Sequence, residues 1–269
     1  MTTQSPPGNP LTLSGKVAIV TGGTKGLGRA IAETFLAAGA QVMICARTQP
    51  ELAIEAAGSE ATFIAADVRE AEQVQAVVDA TVQRYGRIDI LINNAGGAPP
   101  APSNTASQGF NEKVVALNLI APLTFSQAVY RQMQAQGGAK STGVIINIAS
   151  TSGTRTNPMG AAYGAAKAGL INLTKTLAHE WGPAVRVLGL TVGQILTEDA
   201  QLFYGDDEGI AAVGQVLAMG RLGDPQEVAD VALFLCSPLA SWMTGTSVEV
   251  HGGGENPAYL RASTGNVND

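Results

Sequence analysis

The sequence predicts an α/β fold, a single domain built on a doubly wound parallel sheet with helices on both faces. Three observations carry this reading. Short β-branched apolar runs alternate with stretches of helical periodicity. Those runs are apolar on both faces, as strands are in a sheet covered on both sides. A glycine cluster stands between the first run and the first helical stretch.

In chain order, residues 16–21 (KVAIVT) form the first strand, GGTKGLG a turn, and RAIAETFLAAGA an amphipathic helix closed by Gly39. The second strand covers 41–46 (QVMICA) and leads into a short polar helix-like piece at 50–57. A strand at 61–65 precedes Asp67 and Val68, a helix at 70–85 stops at Gly86, and a buried strand at 88–93 runs into Asn93-Asn94-Ala95-Gly96. Residues 97–107, rich in Pro, Ser and Ala, form a loop. Residues 108–136 read as one long helix containing a breaker, Pro122, followed by a turn at 137–143. A strand at 143–148 ends beside Ser150, and a helix at 160–181 stops at Gly182-Pro183. After the strand at 185–192 the chain becomes irregular, and about 194–219 reads as a lid over the sheet's edge. Asp224-Pro225-Gln226-Glu227 starts a helix that runs to Cys236, and the last strand, 247–250, precedes His251 and three glycines. Stretches 1–10 and 255–269 read as tails around a domain at 11–254, the second of them packing on a neighbour.

Composition narrows the partners. A net charge of −6 with no cluster of Lys and Arg argues against nucleic acid or an anionic membrane. No apolar stretch reaches membrane-spanning length, and the N-terminus is too polar for a signal peptide. The two cysteines, Cys45 and Cys236, show no redox or zinc spacing and read as reduced thiols of a cytoplasmic protein. His179 and His251 lie far apart in sequence, so no metal site is expected.

The glycine turn predicts a ligand. Gly22, Gly26 and Gly28 let the backbone turn tightly, and the helix that follows offers free N–H groups and a positive dipole end to a pyrophosphate. The second strand ends in Ala46-Arg47-Thr48, with no acid for ribose hydroxyls, while Lys25 adds a cation in the turn. These residues favour NADP(H), with NAD(H) as the alternative.

A second constellation predicts chemistry. On one helix, Tyr163 and Lys167 stand a turn apart on the same face. An ammonium there favours the phenolate and draws the phenol toward the range of a general acid. Ser150, at the carboxyl edge of its strand, is placed to donate to a substrate oxygen. Pro122 lacks the N–H that would close on Asn118, which leaves the Asn118 carbonyl or side chain to hold a water.

Together, Thr21-Gly22-x-x-x-Gly26-x-Gly28, Asp67-Val68, Asn93-Asn94-Ala95-Gly96, Asn118, Ser150 and Tyr163-x-x-x-Lys167 resemble the short-chain dehydrogenase/reductase family from about residue 11 to 253. The resemblance implies a Rossmann-like domain with seven strands. It implies Tyr163 as acid/base, Lys167 as the group that lowers its pKa and holds the nicotinamide ribose, Ser150 as the substrate-orienting hydroxyl and Asn118 as the holder of a relay water. It also implies cofactor contacts from Gly22, Thr24, Lys25, Gly26, Leu27, Gly28, Arg47, Thr48, Asp67, Val68, Asn94, Ala95, Gly96, Gly193, Ile195 and Thr197, and a homotetramer or homodimer. Three departures stand out. Leu188 and Val192 occupy the family's usual Asn and Pro ahead of Gly193, which predicts a less rigid loop there. His251 replaces an aspartate, and where acyl-carrier-protein reductases carry a basic residue just past the Tyr-Lys helix this chain reads Trp181-Gly182-Pro183-Ala184, with an acidic lid beyond. The expected function is an NADP(H)-dependent oxidoreductase acting on a small ketone or secondary alcohol. A 3-oxoacyl thioester reductase and a catalytically silent nucleotide-binding regulator are the alternatives.

Overall fold

The structure, a computed structural model, describes residues 9–137 and 143–259. Most of the two expected tails and most of the turn at 137–143 lie outside these residues. Seven strands form one parallel sheet: β1 (Val17–Thr21), β2 (Gln41–Ala46), β5 (Thr62–Ala65), β6 (Ile90–Asn93), β7 (Gly143–Ser150), β8 (Val185–Val192) and β9 (Ser247–Val250). Their order is β5-β2-β1-β6-β7-β8-β9, with the chain reversing direction across the sheet from β1. Because every pairing is parallel, all the carboxyl ends share one edge. This is the edge where ligands bind in such sheets.

The apolar runs explain the layers. Along β1, Val20 faces α1 (Gly26–Ala37) and α8 (Pro225–Cys236) through Ile31, Phe35 and Leu235. Its neighbour Ile19 faces the other side, where α2 (Ala71–Tyr85), α4 (Ala121–Gly137) and α5 (Ala161–Trp181) contribute Val77, Phe125 and Leu177. Each such side chain, fully buried, stabilises the fold by about 1.5–3 kcal/mol. The α8 start is the expected one, with Asp224 and Glu227 completing a reciprocal cap and Pro225 in the first turn.

Two sequence readings are corrected. The piece at 50–57 is not helical: β3 (Glu55–Ala56) and β4 (Ser59–Glu60) form a minimal hairpin. Ala57 and Gly58 turn it with φ of 51° and 76°, the two positive values of a tight hairpin turn. Only Ile54 in this segment is buried, so a helix there would have had no apolar face to cover the sheet. The long helix at 108–136 is also two: α3 (Gln108–Val115) and α4 are joined by one π turn, Ala116–Ile120. The ladder widens before Pro122, which then falls at the start of α4, where its missing N–H is tolerated. The irregular stretch after β8 holds two short helices, α6 (Ala200–Tyr204) and α7 (Asp207–Gly214). Asp206 caps α7 by accepting from the Gly209 N–H at 3.1 Å.

Candidate active site

The turn after β1 is shaped by what a side chain would strike. Gly22 and Gly26 take φ of 64° and 53°, and a Cβ on Gly28 would lie 2.2 Å from the Gly22 carbonyl oxygen and 2.4 Å from Asn94 Nδ2. Asn94 locks this turn to the one after β6. Its Nδ2 donates to the carbonyls of Thr21 (2.9 Å) and Gly22 (3.2 Å), while the Thr21 hydroxyl accepts from the N–H groups of Asn94 and Ala95, each at 2.9 Å. The result is a backbone cradle at the amino end of α1.

A cavity of about 850 Å³ adjoins this cradle. Its walls include Gly22, Thr24, Lys25, Gly26, Leu27 and Gly28 from the turn, Arg47 and Thr48 after β2, Asp67 and Val68 after β5, Asn94, Ala95 and Gly96 after β6, and Thr197. A dinucleotide fits such a site: the volume lies within the range of ligand pockets, about 300–1,000 Å³, and glycine permits close approach at the helix start. Arg69 joins Asp67 in a forked ion pair, and together with Arg47 it holds the Asp67 carboxyl down at about 2. Across the cradle, Lys25 Nζ lies 2.5 Å from Asp199 Oδ2, and Glu198 Oε1 accepts from the Gly26 N–H at 3.3 Å.

Tyr163 and Lys167 stand on α5 as their spacing predicts, with Lys167 Nζ 5.6 Å from the Tyr163 ring centroid. Lys167 is buried, and its ammonium donates to the Ile148 carbonyl at 2.7 Å. Burial draws its pKa down to about 8. The phenol moves the opposite way from the expectation. Desolvation raises the Tyr163 pKa, and the group pulling it down is the Ser150 hydroxyl rather than the lysine, whose ammonium is turned to the strand.

Asn118 is fully buried in the π turn. Its Oδ1 accepts from the Gly97 N–H (2.9 Å), and its Nδ2 donates to the carbonyls of Gly97 (3.0 Å) and Val114 (2.9 Å). The side chain is thereby engaged, so of the two water-holding groups anticipated only the main-chain carbonyl is left. Gly96 explains how the pieces meet: a Cβ there would lie 2.8 Å from Asn118 Oδ1 and 3.3 Å from Lys167 Nζ. Two segments therefore converge on one glycine.

Comparison with known proteins decides the family. The family model described as enoyl-(acyl carrier protein) reductase matches residues 22–255. The 7alpha-hydroxysteroid dehydrogenase of Escherichia coli K12 is 36% identical over 250 residues, covering 91% of this chain and 96% of that protein. The 3-oxoacyl-[acyl-carrier-protein] reductase of Vibrio cholerae is 36% identical over 249 residues, covering 90% and 98%. A short-chain type dehydrogenase/reductase from Mycobacterium marinum superposes with a TM-score of 0.84 at 31% identity, covering 92% of this chain and 98% of that one. The chain belongs to the short-chain dehydrogenase/reductase family. It is an oxidoreductase of CH–OH groups, and the family's nicotinamide cofactor suits the cavity described above.

Within this short-chain dehydrogenase/reductase frame, not every anticipated residue meets the large cavity. Tyr163 borders a smaller recess instead. Ile195 faces a separate hollow beside His251 and Gly223. Gly193 donates to the Val250 carbonyl at 3.0 Å. The loop after β8, expected to be less rigid, is held by a short parallel bridge in which the Leu196 N–H reaches the Gly223 carbonyl (2.8 Å) and the Gly223 N–H reaches that of Gln194 (2.9 Å). Leu188 and Val192 are simply buried strand residues. His251 pairs with Glu249 at 3.0 Å, while its Nδ1 is buried with no hydrogen-bond partner among the described residues. Glu255, assigned to the tail, instead pairs with Arg155 and bridges to Leu217.

Sequence reasoning missed Arg69, Glu198 and Asp199. Arg69 had a readable signal, a cation two residues past Asp67. The two acids had none, because their contact with the glycine turn spans more than 170 residues and is made by the fold.

Proposed function

We propose that the protein interconverts a ketone and a secondary alcohol with NADP(H), using Tyr163 as the proton donor and acceptor. The observation that carries this reading is the placement of Tyr163 within hydrogen-bond reach of Ser150, with Lys167 Nζ against Gly96 on the wall of the dinucleotide-sized cavity. A bound nicotinamide supplies or accepts the hydride. Burial keeps the proton on Tyr163, which suits it as the donor to a carbonyl oxygen during reduction. Ser150 orients that oxygen by hydrogen bonding. The Ser150 hydroxyl draws the phenol toward the phenolate needed for alcohol oxidation, and Lys167 holds the nicotinamide ribose. The Asn118 carbonyl holds a water through which the proton is replaced, and residues 194–219 close over the substrate.

For the cofactor, support for NADP(H) comes from Arg47, which lines the cavity and has no ion-pair partner among the described residues. NAD(H) is the alternative. Unpaired Cys45 and Cys236 support a reducing, cytoplasmic setting, and a homotetramer is the assembly this reading favours. Among the described residues no helix is long and apolar enough to cross a membrane. A second reading, reduction of a 3-oxoacyl thioester, is favoured by the likeness to the Vibrio cholerae reductase. Steady-state assays with NADPH, simple ketones and a 3-oxoacyl thioester separate the two. Tyr163→Phe is expected to lower kcat at least a thousandfold with cofactor affinity within threefold. Activity within tenfold of the native chain would remove Tyr163 from the mechanism.

A further inference from the structure

Tyr163 lines a recess of about 280 Å³. Pro99, Ala106, Phe110, Val114 and Ala162 contribute its apolar lining, with Ser103 and Asn111 as its polar members. The recess adjoins the nucleotide cavity: Gly96 and Leu117 line the cavity, while Ala98 and Val114, close by on the same segments, line the recess. Its volume falls just short of a whole ligand pocket, which runs from about 300 Å³ upward, and so suits one arm of a ligand.

Its lip is built under strain. Met159 takes a φ of 65°, unfavourable for a residue with a Cβ, and its carbonyl accepts from the Ala101 N–H at 2.7 Å, stitching the loop at 97–107 to the turn before α5. The Met159 side chain is half exposed over the opening. Toward the lid, the neighbours are polar instead. Burial raises the Tyr204 pKa, with Tyr163 and Glu255 adding to the rise and Arg155 opposing it, and Gln194 donates to Glu255 at 2.5 Å. The two sides of the catalytic tyrosine thus differ in chemistry.

We propose that the recess receives an apolar substituent of the carbonyl carbon, so that the substrates are ketones and secondary alcohols with one alkyl or aryl arm, and that Met159 sets how bulky that arm can be. This rests on the reading of Tyr163 as acid/base given above. The test is a series of methyl ketones, from butan-2-one to octan-2-one, with acetophenone, assayed with NADPH and with NADH on the full-length protein. In the native chain kcat/KM should rise at least tenfold from butan-2-one to octan-2-one. Ala106→Phe, which fills the recess, should erase that rise while leaving butan-2-one within threefold. Met159→Gly, which suits the positive φ and opens the lip, should raise acetophenone relative to octan-2-one at least threefold, and it keeps the test alive if Ala106→Phe fails to fold. A series flat in chain length, or variants that change all ketones alike, would overturn the recess as a substrate site while leaving Tyr163 as acid/base. Absence of turnover with every carbonyl and alcohol tried would defeat the acid/base reading, and this inference with it.

Discussion

Asp199 holds Lys25 at 2.5 Å, across the glycine turn where a pyrophosphate belongs. With Glu198 on the Gly26 N–H, the segment after β8 sets two carboxylates against the cationic and N–H groups of the cradle. An incoming pyrophosphate must compete with both. Asp199→Asn with Glu198→Gln should therefore tighten NADPH about threefold to tenfold in fluorescence titration. Unchanged or weaker binding would mean that the carboxylates swing clear and do not compete.

Cofactor choice hangs on Arg47. The strand that presents it carries no acid at 46–48, although Glu51 on the same cavity wall disfavours a 2′-phosphate. Arg47→Asp should move the ratio of kcat/KM for NADPH over NADH downward by at least tenfold. Glu51→Gln should move it upward by less, because Glu51 is exposed and screened. A ratio that ignores Arg47 would make it a bystander.

Lys167 links stability to pH with a definite sign. Its folded pKa, about 8, lies below the ordinary 10.5 because burial disfavours the charge. Between those values the unfolded chain binds a proton that the folded chain does not, so native stability rises with pH across this window. Below pH 8 the buried ammonium costs about 3 kcal/mol. Lys167→Met removes this titration. Urea melts of the native chain and the variant should show a stability difference that is constant from pH 6 to 7.5 and drifts in favour of the native chain above pH 8. Parallel curves up to pH 10 would contradict this assignment.

Much of this was legible because the strands are apolar on both faces and each site residue sits at a strand end or one helical turn from another. Gly22, Asp67, Asn94 and Ser150 fall on the carboxyl edge wherever the sheet is parallel, so the pattern alone carries them there. What failed depended on competition that the sequence does not rank. Residues 50–57 have passable helix propensity but only Ile54 to bury, and the Ala57-Gly58 turn prevailed. The Tyr163–Lys167 spacing held, yet the direction of the phenol's pKa was set by burial and by a carbonyl, Ile148, that claims the ammonium. The π turn was signalled by Pro122, but its place was fixed by Asn118 reaching Gly97, a contact between segments 21 residues apart.

That contact yields the last prediction. Asn118 satisfies both main-chain groups of Gly97 and the Val114 carbonyl from a buried position, so truncation leaves three polar groups short of partners. Asn118→Ala should cost about 1–3 kcal/mol, lowering Tm by several degrees. The main-chain carbonyl persists in the variant. If that carbonyl is the group that holds the relay water, kcat should fall through the misplaced loop at Gly97, while the pH dependence of kcat keeps its shape. If the amide itself takes part in the relay, the pH profile should change as well, with the same loss of Tm. Measuring Tm and the kcat–pH profile on the same preparation separates the two, because only a role in proton transfer alters the shape of the profile.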